Sequence, residues 1–162
     1  MKLNVGCGET KMEGYRHCDI VAFPHVDYIC NAWEIPVPRG SVEEIYSRHM
    51  LEHLDLPHAR TCLRHWLDLL GIGCVARVIV PDLEFHCRQL FMAGKSEFVD
   101  APNFDHAMAG FYGWSEGGSD ERMRHRWGYT GRSIEGLMRE CGFSEIKVSR
   151  PRACDLEAVG TK

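Results

Sequence analysis

The stretch Leu3-Asn4-Val5-Gly6-Cys7-Gly8, followed by Asp19, constrains this chain more than any other. Three residues of strand pattern run straight into Gly-x-Gly. Glycine there lets the backbone turn sharply and approach a ligand with no Cβ in the way. His17-Cys18-Asp19-Ile20-Val21 then reads as a second short strand carrying a carboxylate. A glycine turn after one strand and a carboxylate after the next place two ligand contacts on one edge of a parallel sheet. That edge is where open α/β sheets bind nucleotides, with the carboxylate on ribose hydroxyls. A nicotinamide dinucleotide is the weaker match. Its fingerprint wants a third glycine and an acidic residue roughly 20 positions on, whereas here the third glycine is missing and Asp19 comes too soon.

Further along, Tyr28-Ile29-Cys30-Asn31 reads as a third strand, and Ile35-Pro36-Val37-Pro38-Arg39-Gly40 as a turn. Val42-Glu43-Glu44-Ile45-Tyr46-Ser47 is the fourth strand, and residues 48–54 turn helical. The next helix is well signposted. Asp55 or Leu56 leads in, Pro57 takes the first turn, and Ala59, Cys62, Leu63, Trp66, Leu67 and Leu70 repeat at helical spacing until Gly71. Residues 75–80 form a buried strand ended by Pro81-Asp82. Asp82 caps a helix whose apolar stripe is Leu83, Cys87, Leu90 and Phe91. The pattern loosens over 95–129, where aromatics mix with His106, His125 and glycines. Thr130 caps a last helix with Ile134, Leu137, Met138 and Cys141 on one face, closed by Gly142. Residues 146–149 and 156–159, joined through Pro151, read as a terminal β-hairpin. Strands alternating with helices argue an α/β fold around a largely parallel sheet.

A chain of 162 residues with no linker or repeat is expected to be one domain, 1–162, with 95–129 as a lid or substrate segment. A formal net charge of −4 speaks against nucleic-acid binding by bulk charge. The basic run at 122–132 is read equally as a solvated loop or as a contact for an anionic substrate. No apolar stretch reaches the roughly 18 residues of a membrane helix, and the start has no signal-peptide core. The eight cysteines are scattered with no C-x-x-C. They read as reduced core thiols, so a cytoplasmic protein is expected.

In order along the chain, these segments resemble the class I S-adenosylmethionine-dependent methyltransferases. The residues carrying the resemblance are Leu3-Asn4-Val5-Gly6-Cys7-Gly8, Gly14-Tyr15-Arg16-His17-Cys18-Asp19 and Met50-Leu51-Glu52-His53-Leu54. Val78-Ile79-Val80-Pro81-Asp82, His125, Tyr129-Thr130 and Leu137-Met138-Arg139-Glu140-Cys141-Gly142-Phe143 continue it. The resemblance implies a Rossmann-like sheet of order 3-2-1-4-5-7-6, with the last-but-one strand antiparallel and a C-terminal hairpin. It implies S-adenosylmethionine as cofactor. Gly6 and Gly8 would approach its methionine part and Asp19 its ribose. Asn31 would lie near the adenine, and Arg48 and His49 would face the sulfonium side. Cys7, Ile20 and Ala32 complete the implied cofactor set. Glu9-Thr10-Lys11 lacks the third glycine of many relatives, the link from Gly8 to Asp19 is too short for a full helix, and no N-terminal helix precedes the first strand. This trimming predicts an apolar sheet face left uncovered, to be covered by a second copy, a partner protein or the 95–129 segment.

The function expected is methyl transfer to an unidentified O or N nucleophile by in-line displacement. Asp82, His125 and His49 are the candidate bases, although Asp82 reads more readily as a helix cap and His125 as a structural histidine. Trp114, Trp127 and Tyr129 are the candidate substrate contacts. One alternative is a non-catalytic methyltransferase-fold protein acting through a partner. Another is a zinc hydrolase, because His49-Met50-Leu51-Glu52-His53 matches H-x-x-E-H, whose two histidines share a helix face. Such a site needs a third ligand, for which Glu116 and Glu121 are only guesses, so no metal is expected.

Overall fold

The computed structural model describes residues 1–114 and 121–162. Seven strands form one sheet: β1 Lys2–Val5, β2 Tyr15–Asp19, β3 Tyr28–Ile29, β4 Val42–Arg48, β5 Leu70–Pro81, β6 Ser144–Arg152 and β7 Asp155–Thr161. Their order is β3-β2-β1-β4-β5-β7-β6. All neighbouring pairs are parallel except those of β7, which runs antiparallel to both β5 and β6. This is the Rossmann-like order with a terminal hairpin that the sequence implies.

Helix α1, Leu56–Leu69, starts where Asp55 accepts a hydrogen bond from the His58 N–H at 2.9 Å, with Pro57 in the first turn. Its buried stripe is Ala59, Cys62, Leu63, Trp66 and Leu69. The helix stops at Leu69 and not at Gly71. Leu70 is already extended and pairs with Val42, so β5 begins there and Gly71 lies within the strand. Helix α4, Gly131–Glu140, opens with a capping box between Thr130 and Ser133 and buries Ile134, Leu137 and Met138. Arg60 of α1 pairs with Glu140 of α4 at 2.8 Å, and the Gly142 turn sits against Leu67. The two helices therefore lie side by side.

Strand register sorts the sheet into two chemically different faces. Leu3, Val5, Cys18, Ile45, Ala76, Val78, Val80, Leu156 and Ala158 share one face, are buried, and form a single core with the stripes of α1 and α4. The opposite face carries Lys2, Tyr15, Glu44, Tyr46, Arg77 and Glu157. Lys2–Glu44 at 3.0 Å, Arg77–Glu44 at 3.7 Å and Arg77–Glu157 at 2.9 Å make a ladder of ion pairs across four strands. The short link after β1 covers Asn4 and His17 on this face through hydrogen bonds from Asn4 Nδ2 to the Thr10 carbonyl and from the Met12 N–H to His17 Nε2. The expected apolar, uncovered face is thus corrected in part. An ion-pair ladder runs through it beside Tyr15, Tyr46, Val75, Ile79 and Val159, and the charged side chains meet water without a cover.

The segment expected to be loose holds a helix, α3, Asn103–Tyr112, which packs on α2, Leu83–Gln89. The apolar stripe expected for α2 is also corrected. Cys87 is exposed and Phe91 is 89% exposed, while His86 and Gln89 are the buried residues. Gln89 Nε2 lies 3.0 Å from Asn103 Oδ1 and 2.8 Å from His106 Nδ1, and Ser96 Oγ reaches the same His106 nitrogen. A satisfied polar network joins the two helices where apolar packing was expected. Residues 48–54 form only a single 3₁₀ turn, Leu51–His53.

Candidate functional site

The C-terminal ends of β1 to β4 open into one cleft of about 970 Å³. Residues 5–10, 18–21, 30–33 and 48–50 line it, with His53, Leu54, Asp55 and His58 on one wall and Arg122, Met123 and Arg126 at its rim. Every implied cofactor residue, Gly6, Cys7, Gly8, Asp19, Ile20, Asn31, Ala32, Arg48 and His49, is on this lining.

Gly6 turns with φ +67°, and its N–H donates to the Cys18 carbonyl at 2.8 Å. A Cβ at Gly6 would overlap the side chain of Met50, so the loop closes against β4 only with glycine here. Gly8, at φ +52°, faces open space. Its N–H donates to Asp19 Oδ2 at 2.8 Å, while the Val21 N–H donates to Asp19 Oδ1 at 2.9 Å. Asp19 therefore ties both flanking loops together, and each of its oxygens retains a lone pair for a ligand in the cleft. Asn31 Nδ2 donates to Glu34 Oε2 at 2.9 Å, which orients the amide. The neighbouring Ala32 carbonyl accepts from the buried Trp66 indole at 2.8 Å. Burial, reinforced by the Asp19 charge, pushes the Cys7 thiol up to about 11, so Cys7 is a neutral wall of the cleft.

At the end of β4, His49 sits at φ +51°, a left-handed conformation uncommon outside glycine. Strain of this kind persists where surrounding contacts enforce it. Here Asp155 lies 3.5 Å from His49 Nε2 and Glu52 lies 3.3 Å from His49 Nδ1. Burial opposes a charge on this ring, but the hydrogen bonds from the two carboxylates outweigh it and raise His49 to about 9. Arg48 lies 3.5 Å from the same Asp155.

The other candidate residues are placed elsewhere. Asp82 is 0% exposed and off the cleft. It caps α2 through the Glu84 N–H at 2.9 Å and pairs with Arg150 at 2.6 Å, the structural role its position predicts. Tyr129 is 1% exposed and belongs to the core, so it makes no substrate contact at the cleft surface. Trp114 stacks on His106 beyond α3, and neither it nor the half-exposed Trp127 lines the cleft. His125 is also off the lining. Its Nδ1 lies 2.9 Å from the Gly110 carbonyl and its Nε2 lies 3.9 Å from Glu52. Glu116 lies outside the described residues.

The helix-face reading of H-x-x-E-H does not survive. His49 ends a strand and Glu52-His53 lie in a 3₁₀ turn, so the two histidines share no helix face. What the sequence did not disclose is that the Arg126 and Trp127 N–H groups both donate to the Glu52 carbonyl, at 2.7 and 3.2 Å. This clip brings the distant 121–127 loop onto the turn, and His125 beside Glu52 and His53. Only the cluster of basic residues at 122–126 signalled that loop's importance.

No protein-family model matches the chain, and no curated protein does. Solved structures do match in fold. The chain is similar to a 1,6-didemethyltoxoflavin-N1-methyltransferase of Burkholderia thailandensis (16% identity, TM-score 0.63), covering 99% of this chain and 70% of that one. It is similar to an S-adenosylmethionine-dependent methyltransferase of Archaeoglobus fulgidus (13% identity, TM-score 0.67), covering 99% and 85%. It is also similar to phosphoethanolamine N-methyltransferase 2 of Haemonchus contortus (12% identity, TM-score 0.60), covering 99% and 48%. The fold is that of the Rossmann-like methyltransferases. No helix among the described residues is long and apolar enough to cross a membrane.

Proposed function

We propose that this chain binds S-adenosylmethionine in the β1–β4 cleft and transfers its methyl group to an oxygen or nitrogen nucleophile. The observation that carries the reading is the Gly6–Gly8–Asp19 arrangement. A turn with Gly8 open to the cleft is locked to a carboxylate on the neighbouring strand, at the sheet edge where α/β folds hold nucleosides. The lining fits such a ligand. Asp19 offers acceptors for ribose hydroxyls, Asn31 an oriented amide, and Val5, Ile20, Val21 and Trp33 apolar walls. The cofactor supplies a methyl group on a sulfonium, already a good leaving group, so the protein's contribution is to hold the two reactants in line and exclude water. Structures of similar fold that carry methyltransferase names support the reading.

His49 enters as a cation and not as a base, since it stays charged near neutral pH. With Arg48, Glu52 and Asp155 it makes a charge-balanced cluster at the β4 end of the cleft, whose Arg48 and His49 donors suit orienting a hydroxyl-bearing acceptor. Calorimetric titration with S-adenosylhomocysteine tests the proposal. One site per chain is expected, and heat indistinguishable from dilution would reject it.

A further inference from the structure

We propose that Glu52, His53 and His125 form a binding site for a divalent transition-metal ion, zinc being the best match, at the wall of the cleft. The ligand atoms these three side chains offer lie within 4.8 Å of one another. Glu52 is 1% exposed, and its Oε2 has no hydrogen-bond partner among the described residues. A buried carboxylate oxygen left in that state is costly unless something satisfies it. The other oxygen, Oε1, already has His49 Nδ1 at 3.3 Å.

Two imidazoles flank this carboxylate, with His125 Nε2 3.9 Å from Glu52 Oε1. His53 Nδ1 lies 3.1 Å from the Arg124 carbonyl and His125 Nδ1 lies 2.9 Å from the Gly110 carbonyl. A carbonyl only accepts, so Nδ1 is the protonated nitrogen in each ring, and each neutral ring keeps its lone pair on Nε2. Histidines that hold a metal through one nitrogen and a backbone carbonyl through the other are the usual arrangement at such centres. The rings stand edge to face with centroids 4.9 Å apart. A bare ion pair explains the cluster less well, because His125 Nε2 is 3.9 Å from Glu52 Oε1, too far for a hydrogen bond.

Two imidazoles and one carboxylate are a donor set that zinc accepts, with a fourth position left to water or another ligand. His53 lines the cleft while Glu52 and His125 do not, which puts the cluster at the cleft wall. Glu116 and Glu121 were the only third ligands that H-x-x-E-H suggested. The fold provides a different one, His125, from the loop clipped to the Glu52 carbonyl, and it leaves His49 as the charged neighbour and not a ligand.

The inference is independent of the cofactor reading and is tested with no nucleoside present. Purified, tag-free protein is stripped with chelator and titrated with zinc by equilibrium dialysis, then with cobalt(II), whose visible absorption bands report coordination geometry. One ion per chain at micromolar free metal is expected, with tetrahedral or five-coordinate cobalt bands. His53→Gln, a change in a partly exposed turn that leaves the core intact, and His125→Ala are each expected to weaken binding about tenfold or more. His58→Ala, on the same cleft wall, is expected to bind as wild type. Absence of stoichiometric binding by the wild type, or equal affinity in the His53 and His125 variants, would overturn the site.

Discussion

Asp19 accepts from the Gly8 and Val21 N–H groups, so its removal acts on loop order as well as on ligand affinity. Asp19→Ala is expected to weaken S-adenosylhomocysteine binding by about 1–3 kcal/mol, the cost of leaving polar partners unpaired. Asp19→Asn keeps an acceptor and is expected to fall between. Gly6→Ala meets two obstacles, the positive φ and the overlap with Met50. A loss of at least about 1 kcal/mol in folding stability is expected by urea denaturation. Wild-type stability would mean that the loop is free to rearrange. That these residues meet on one cleft was legible because glycine and a carboxylate at fixed offsets have few other uses. The fate of Tyr129 was not. Sequence shows an aromatic residue before a helix cap but not that it faces the core.

Helices α1 and α4 were legible from their caps and spacing, as was the Asp82 cap that opens α2, whereas the buried face of α2 and the helix α3 were not, and the reason is chemical. Their contact is made by His86, Gln89, Asn103 and His106, so apolar periodicity points away from the face that is buried. The same network gives a pH prediction. Burial first, and the neighbouring His106 charge after it, hold His86 down to about 4, against the Gln89 hydrogen bond and the pull of Asp82 and Asp155. In the unfolded chain it titrates near its ordinary 6.5. Between those values the unfolded state binds the extra proton. Stability from this group is therefore complete above about pH 6.5 and is lost as the pH falls toward about 4, at up to about 1.4 kcal/mol per unit. Urea melts near neutrality and at about pH 5 are expected to differ less for His86→Gln than for wild type. An equal difference would show that His86 is not held neutral. For α4, Thr130→Ala removes half of the capping box and is expected to cost about 1 kcal/mol in the same assay.

In the molecule as a whole, sheet order was readable because strand signals came in the family's sequence and spacing. The two faces were not. Absent helices suggested an apolar surface needing a partner, but alternation in β1, β4 and β5 places Lys2, Glu44 and Arg77 on the helix-free side. The face therefore offers less apolar area to a second copy than its missing helices suggested. Arg77→Ala takes a partner from the largely buried Glu44 and Glu157 and is expected to cost about 1–2 kcal/mol, less at high salt. The cleft at the sheet's C-terminal edge is the feature on which the functional account depends, and amide chemical shifts read it directly. On adding S-adenosylhomocysteine to isotope-labelled protein, shifts are expected at Gly6, Gly8, Asp19, Ile20, Asn31, Ala32 and His49. Shifts confined to α2 and α3, or none at saturating ligand, would contradict it.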